Sequence, residues 1–115
     1  MTNQRESDKT EDLVGYALKL DGIVEYHKDA VVSKSLVTSK KGTVTVYAVD
    51  KGQRLSEHTA RSHATVYVLH GEAEVEYSGK TYILRKGDAI VLPAGEPHAL
   101  RAVKRFKMLL SLVRS

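Results

Sequence analysis

The chain has no cysteine among its 115 residues. This absence excludes disulfide bridges, thiolate nucleophiles, and zinc fingers or iron–sulfur clusters that cysteines of this chain would hold. A metal ion bound by the chain must therefore use nitrogen or oxygen ligands.

The sequence also lacks a long hydrophobic run. Its longest apolar stretches, such as residues 89–94, are far shorter than the roughly 20 residues that cross a bilayer as a helix. Residues 1–12 mix charges and lack the apolar core of a secretion signal. We therefore expect a cytoplasmic protein with no membrane partner.

Clustered charge of one sign is missing as well. Lysine and arginine exceed aspartate and glutamate by 18 to 14, giving a net charge of +4, but the basic residues are spread along the chain. The densest basic stretch, residues 101–107, is explained by a solvated strand rim. The sequence therefore predicts no nucleic-acid partner, because such binding usually needs a basic stripe.

The length and composition favour one globular domain. Hydrophobic residues make up 42% and charged residues 28% of the chain, an ordinary globular balance. Residues 1–11 contain almost no apolar side chains and cannot offset the entropy cost of ordering. We predict a disordered tail at 1–11 and a single domain at 12–115.

Short segments rich in β-branched residues follow one another from Val31, each closed by turn-forming residues. They predict an all-β sandwich or barrel, because no alternating helices interrupt them. The glycines at 71, 79 and 87 are expected where the chain reverses between strands. The predicted strands are 31–38, 43–50, 53–58, 63–69, 72–77, 81–85, 88–92, 98–103 and 106–113.

Alternation is clearest in residues 72–77, where three glutamates are predicted to face water while Ala73, Val75 and Tyr77 face inward. Ser78 and Gly79 follow, and they have the length and residue types of a two-residue hairpin turn.

Two sets of residues have specific spacing. Gly52 is followed after five residues by His58, and Gly71 comes after the next strand. Later, Gly87 is followed after five residues by Pro93, then by Gly95 and His98. The two prolines that flank Gly95 stiffen the loop that carries His98.

These spacings resemble the two motifs of the cupin superfamily, and the resemblance covers residues 31–113. The 15 residues between the motifs, 72–86, are similar to the short spacer of small single-domain, RmlC-like cupins. The resemblance implies a cupin double-stranded β-helix, which is a jelly-roll barrel. It also implies a homodimer, and places His58 and His98 side by side at the pocket mouth.

The first motif departs from the family pattern. Ala60 stands where the pattern has a second histidine, and Ala64 stands where it has a glutamate. His58 and His98 could start a site for a divalent transition metal such as zinc, nickel, iron, manganese or copper, but such sites usually need three protein ligands. His63 is the candidate third ligand. Strand parity points it outward if Ala64 points inward, unless the turn at 60–62 resets the register.

Three functions stay open at this stage. A metal on His58 and His98 would support a small-molecule enzyme. Without metal, the same histidines would contact a small polar or carboxylate ligand in a non-catalytic barrel. A purely structural dimer is the third, favoured by more apolar strand residues than one interior can use. Each of the tyrosines at 47, 67, 77 and 82 is either a pocket phenol or a packing residue.

Overall fold

The structure is a computed structural model that describes residues 13–57 and 61–114. The described residues form eight strands and a short 3-10 helix, Leu20–Gly22, so the prediction of an all-β fold is confirmed. Residues 1–11, the predicted tail, lie outside the described part. The strands are β1 (Val31–Ser39), β2 (Gly42–Val49), β3 (Arg54–Glu57), β4 (Ser62–Tyr77), β5 (Lys80–Arg85), β6 (Ala89–Leu92), β7 (His98–Arg101) and β8 (Phe106–Arg114).

Two antiparallel sheets share the long strand β4. The first sheet has the order β1-β2-β8-β4-β6, and the second has the order β5-β4-β7-β3. The first part of β4 belongs to the first sheet, and its last six residues pair in the second. Their inner faces enclose the core, which is the jelly-roll arrangement. None of the helices in the described residues has the length and apolarity to cross a membrane.

Strand β4 corrects one expectation, because the segments 63–69 and 72–77 form one strand of 16 residues. Gly71 does not reverse the chain. It lies in β4 with φ of +79°, just after a register shift against β8 between Val68 and His70. A Cβ at Gly71 would stand 2.1 Å from the carbonyl oxygen of Arg105. The glycine therefore serves a bulge and a close backbone approach.

The predicted hairpin turn is confirmed. Strand β4 ends at Tyr77, β5 begins at Lys80, and these two residues pair across the turn. Ser78 and Gly79 have φ of 54° and 75°, and positive φ at both central residues is what a type I′ turn requires.

The core is built by alternate residues along β4 and β8. Val66, Val68, Val75, Phe106 and Met108 are all fully buried. Fully burying one such side chain contributes roughly 1.5 to 3 kcal/mol relative to leaving it exposed, so this set is a main source of stability.

The outer face of the second sheet carries a ladder of ion pairs. The three glutamates of β4 that were predicted to face water are half-buried there, while Ala73 and Val75 are fully buried, so the predicted faces are confirmed. Each glutamate meets an arginine from another strand of the sheet, which is β5 for Glu72, β7 for Glu74 and β3, one strand further away, for Glu76. The pairs are Arg85 Nε to Glu72 Oε1 at 3.2 Å, Arg101 Nη2 to Glu74 Oε1 at 2.6 Å, and Arg54 Nη2 to Glu76 Oε1 at 3.6 Å.

The outer face of the first sheet is covered in part by residues 20–30. Val24 is 4% exposed and packs with Val46, Ala48 and Leu69 of the sheet. This segment therefore adds a second, smaller core outside the barrel.

Candidate ligand-binding cavity

His98 lies at the start of β7, where the sequence predicted it. It pairs with Glu57 of β3 and with Tyr77 of β4, and its side chain is largely buried. Its Nδ1 atom is 3.4 Å from the carbonyl oxygen of Glu96, two residues earlier in the same loop. The imidazole is thus held between two strands and its own preceding loop.

His58 lies outside the described residues, as does Ala60. The strand that leads to it is described, and the last residue of β3, Glu57, is the pairing partner of His98. The end of β3 and the start of β7 therefore lie side by side, as the motif resemblance implied. The placement of the His58 side chain stays a prediction.

His63 lies on the outer face of β4 and is exposed, whereas the next residue, Ala64, is 1% exposed. Strand β4 therefore begins in the register that points Ala64 inward and His63 outward. The backbone N–H of Ala94 donates to Nδ1 of His63 at 3.0 Å. The structure therefore puts His63 beside the loop that precedes His98, and on the side of the sheet opposite to the core.

The described residues do not fit a three-ligand metal centre. Ala64, at the position of the family glutamate, packs into the core cluster and pairs with Leu92. Within residues 13–57 and 61–114, no three histidine or acidic side chains form a metal-binding group. A methyl group in an apolar setting offers no donor atom, so His98 is the one predicted ligand that the structure describes on the inner side.

A cavity of about 110 Å³ lies inside the barrel beside His98. Most of its wall is apolar, and three residues add polar atoms. The lining residues described are Tyr47, Leu55, Ser56, His98, Leu100, Met108, Leu110 and Leu112. An apolar cleft with a few polar groups at fixed positions is typical of a small-molecule site.

Part of this wall was not predicted. Three of the lining residues, Met108, Leu110 and Leu112, are alternate positions of β8 and share one face of that strand. The alternation was available in the sequence, but the surplus of leucines around it obscured which face points inward. Of the four tyrosines considered, Tyr47 lines the cavity and Tyr67 is 40% exposed.

A second polar cluster lies far from His98, between the 20–30 segment and β8. The Tyr26 hydroxyl and His70 Nδ1 are 2.7 Å apart, and the Arg105 guanidinium stacks 4.5 Å from the centroid of the Tyr26 ring. Burial raises the pKa of Tyr26, and the neighbouring charge of Arg105 opposes that shift. The Lys107 ammonium donates to the carbonyl of Asp21. These contacts fasten the segment to the sheet.

Comparison with known proteins matches residues 41–112 to the family model described as the cupin domain. Among curated proteins, none matches the chain.

Solved structures give extensive matches. A conserved protein of unknown function from Streptococcus pyogenes is 39% identical, with a TM-score of 0.83 over 88% of this chain and 89% of that one. A cupin 2 conserved barrel domain protein from Leptotrichia buccalis is 41% identical, with a TM-score of 0.80 over 84% of this chain and 47% of that one. A cupin superfamily protein from Desulfitobacterium hafniense, 24% identical, has a TM-score of 0.82 over 88% of this chain and 93% of that one.

Proposed function

This chain belongs to the cupin domain family, and from that premise we propose that its barrel is a non-catalytic binding module for a small, largely apolar molecule with one polar or anionic group. The observation that carries the proposal is the cavity beside His98, with its apolar wall and three polar residues.

The size of the cavity supports a ligand of about six non-hydrogen atoms. Its volume is about 110 Å³, somewhat smaller than the engineered apolar cavity of roughly 150 Å³ that binds benzene. Leu100, Met108, Leu110 and Leu112 supply the apolar contacts that would drive binding. A short branched-chain carboxylate or alcohol matches this volume.

The polar groups of the cavity support recognition of one oxygen-bearing group. His98 and Tyr47 give this wall an imidazole and a phenol, and both groups hydrogen-bond carboxylates or hydroxyl groups. The Ser56 hydroxyl is not counted with them, because it accepts a hydrogen bond from Arg54 Nε at 3.3 Å. Among the described lining residues there is neither a carboxylate nor a second imidazole beside His98.

The experiment is an NMR titration with isobutyrate and isobutanol as probes. We expect saturable binding with a Kd of about 1 mM, which corresponds to about 4 kcal/mol and suits six atoms. Leu110→Phe should abolish it by filling the cavity, whereas Val103→Phe, at a site that is 51% exposed, should leave it unchanged. Unaltered binding by Leu110→Phe would sink the proposal.

The same titration tests the polar part of the wall separately from the apolar part. His98→Ala should weaken isobutyrate about tenfold, because a hydrogen bond to a charged group is lost. Equal isobutyrate affinity in wild type and His98→Ala would remove His98 from the binding site.

Weak binding of a divalent transition metal by His58 and His98 is a second candidate. It is favoured by the pairing of Glu57 with His98, which brings the end of β3 beside β7. Elemental analysis after reloading tests it. More than a tenth of an equivalent in wild type, absent in His98→Ala, would support the metal site, and less than that in both would exclude it.

A homodimer through the outer face of the first sheet is the partner that we propose. Tyr67, Val91 and Val113 are 40%, 64% and 55% exposed there, in contrast to the ion pairs of the second sheet. Sedimentation at micromolar concentration should give about twice 12.7 kDa. Val91→Glu should produce the monomer, and Ile83→Glu, on the outer face of the second sheet, should not. A monomeric wild type would refute the dimer.

A further inference from the structure

His63 makes a contact that neither the core nor the cavity requires. Its side chain is exposed on the outer face of β4, yet its Nδ1 accepts the backbone N–H of Ala94 at 3.0 Å. The two residues are 31 positions apart in the chain. The bond therefore joins the start of β4 to the loop between β6 and β7.

That loop, residues 93–97, carries the chain from β6 to His98. Its two ends are fixed, because Leu92 is fully buried and His98 is 8% exposed. Gly95 in its middle has φ of +83° and a Cβ there would meet nothing within 4 Å, so the middle is not held by packing around that glycine. Ala94 is half-buried. The bond to His63 ties this middle part to a rigid strand.

We propose that His63 is a positioning residue, which holds the 93–97 loop and through it sets the orientation of the His98 imidazole at the cavity. This inference rests on the proposed function, in which His98 contacts the ligand. His98 is linked to the same loop, since its Nδ1 lies 3.4 Å from the Glu96 carbonyl. A shift of the loop would move the Glu96 carbonyl, and the His98 side chain would then favour a different rotamer.

The contact also defines which tautomer of His63 accepts the hydrogen bond from Ala94. A nitrogen that accepts a hydrogen bond has a free lone pair, so the neutral ring carries its proton on Nε2. The same lone pair on Nδ1 cannot simultaneously bind a metal ion. Coordination through Nδ1 would leave the Ala94 N–H without its partner.

Three substitutions distinguish this role from simple packing. In His63→Asn the side-chain oxygen occupies the place of Nδ1 and keeps an acceptor for Ala94. In His63→Gln the polar atoms lie one bond further out, near the place of Nε2, and His63→Leu removes the acceptor altogether. Amide hydrogen exchange of Ala94, the NMR signals of the His98 ring and the Kd for isobutyrate are the three readouts.

We expect His63→Asn to match wild type within about twofold in all three readouts. His63→Gln and His63→Leu should speed Ala94 exchange about fivefold, in line with the net contribution of one hydrogen bond, and should shift the His98 signals and weaken isobutyrate by a similar factor. Equal Ala94 exchange in all variants would overturn the contact. Faster exchange with unchanged His98 signals would overturn the positioning role.

The first two readouts need no ligand. If wild type fails to bind isobutyrate, the proposed function fails, and the Ala94 exchange and His98 signals still decide whether His63 positions the loop.

Discussion

The two ends of the β3–β7 strand pair are closed by different means. At the end that holds Gly52, which we call the glycine end, the Gly52 N–H donates to the Ala102 carbonyl at 2.7 Å, and the Ala102 N–H donates to the Gln53 carbonyl at 3.0 Å. Asp50 Oδ2 accepts the Asp29 N–H at 2.8 Å nearby. Main-chain bonds and one carboxylate therefore close this end.

The other end, which holds His98 and which we call the histidine end, is held by side chains. His63 binds the backbone of the 93–97 loop, and His98 lies beside the cavity. The two ends of the same strand pair therefore differ in the kind of contact that holds them. We therefore expect the glycine end to contribute more to stability, and the proposed ligand site lies at the histidine end.

The largest effect is expected from Gly71→Ala in β4, where the chain approaches the 102–105 loop that leads from the glycine end to β8. A Cβ there would meet the Arg105 carbonyl oxygen at 2.1 Å, so the backbone of β4 or of the 102–105 loop must shift. Urea denaturation should show a loss of at least about 3 kcal/mol, combining the clash with the positive φ. Gly79→Ala is the matched control, because Gly79 also has a positive φ, +75°, but a Cβ added there would meet no atom within 4 Å. This substitution should cost about 1 kcal/mol. Equal losses would show that the close approach is unimportant.

The next effect is at the histidine end, from Ala64→Glu, which restores the residue type of the family motif. Ala64 is 1% exposed in an apolar cluster, so a carboxyl there should cost about 2 to 4 kcal/mol. Ala64→Gln, of similar size without charge, is the control. Neither zinc nor nickel should restore the stability of Ala64→Glu. Recovery by metal in this variant alone would show that a carboxylate at position 64 completes a metal site, and would contradict this expectation.

The smallest effect is a pH dependence from Asp50 at the glycine end. The hydrogen bond from the Asp29 N–H lowers the pKa of Asp50 below its usual 3.8, with smaller contributions from Lys51, Arg105 and Lys28. A carboxyl whose folded-state pKa is lowered stabilises the fold above its unfolded pKa, and the stabilisation is lost as pH falls through the folded pKa. The difference in unfolding free energy between wild type and Asp50→Asn should be constant from pH 7 to about 5 and shrink below about 4. A difference that does not change down to about pH 2.5 would contradict this assignment.

The sequence allowed the barrel and the place of His98 to be predicted, because strand alternation and the glycine and proline spacing are local signals. The turn at Ser78 and Gly79 was predictable for the same reason. The glycine at position 71 led to a wrong strand boundary, because a glycine with positive φ can lie in a bulge as well as in a turn. The close approach that excludes a side chain at Gly71 comes from the carbonyl oxygen of Arg105, which is distant in the sequence.

Other features depend on contacts between distant parts of the chain. The bond from Ala94 to His63 joins residues 31 positions apart and has no pattern in the sequence. The cavity depends on which face of β8 points inward, and that follows from its pairing with β2 and β4. Parity alone could suggest that His63 faces outward, but only the structure gives it a partner.

The most direct test of the ligand-binding account is an intermolecular NOE between isobutyrate and Met108. Selective labelling of methionine methyl groups gives two signals, because the chain has 2 methionines, and Met108 lines the cavity. The account predicts that isobutyrate shifts the Met108 methyl signal saturably and shows an NOE to it, and that Leu110→Phe removes both. Binding of isobutyrate without any shift or NOE at Met108, or no binding at all, would contradict it.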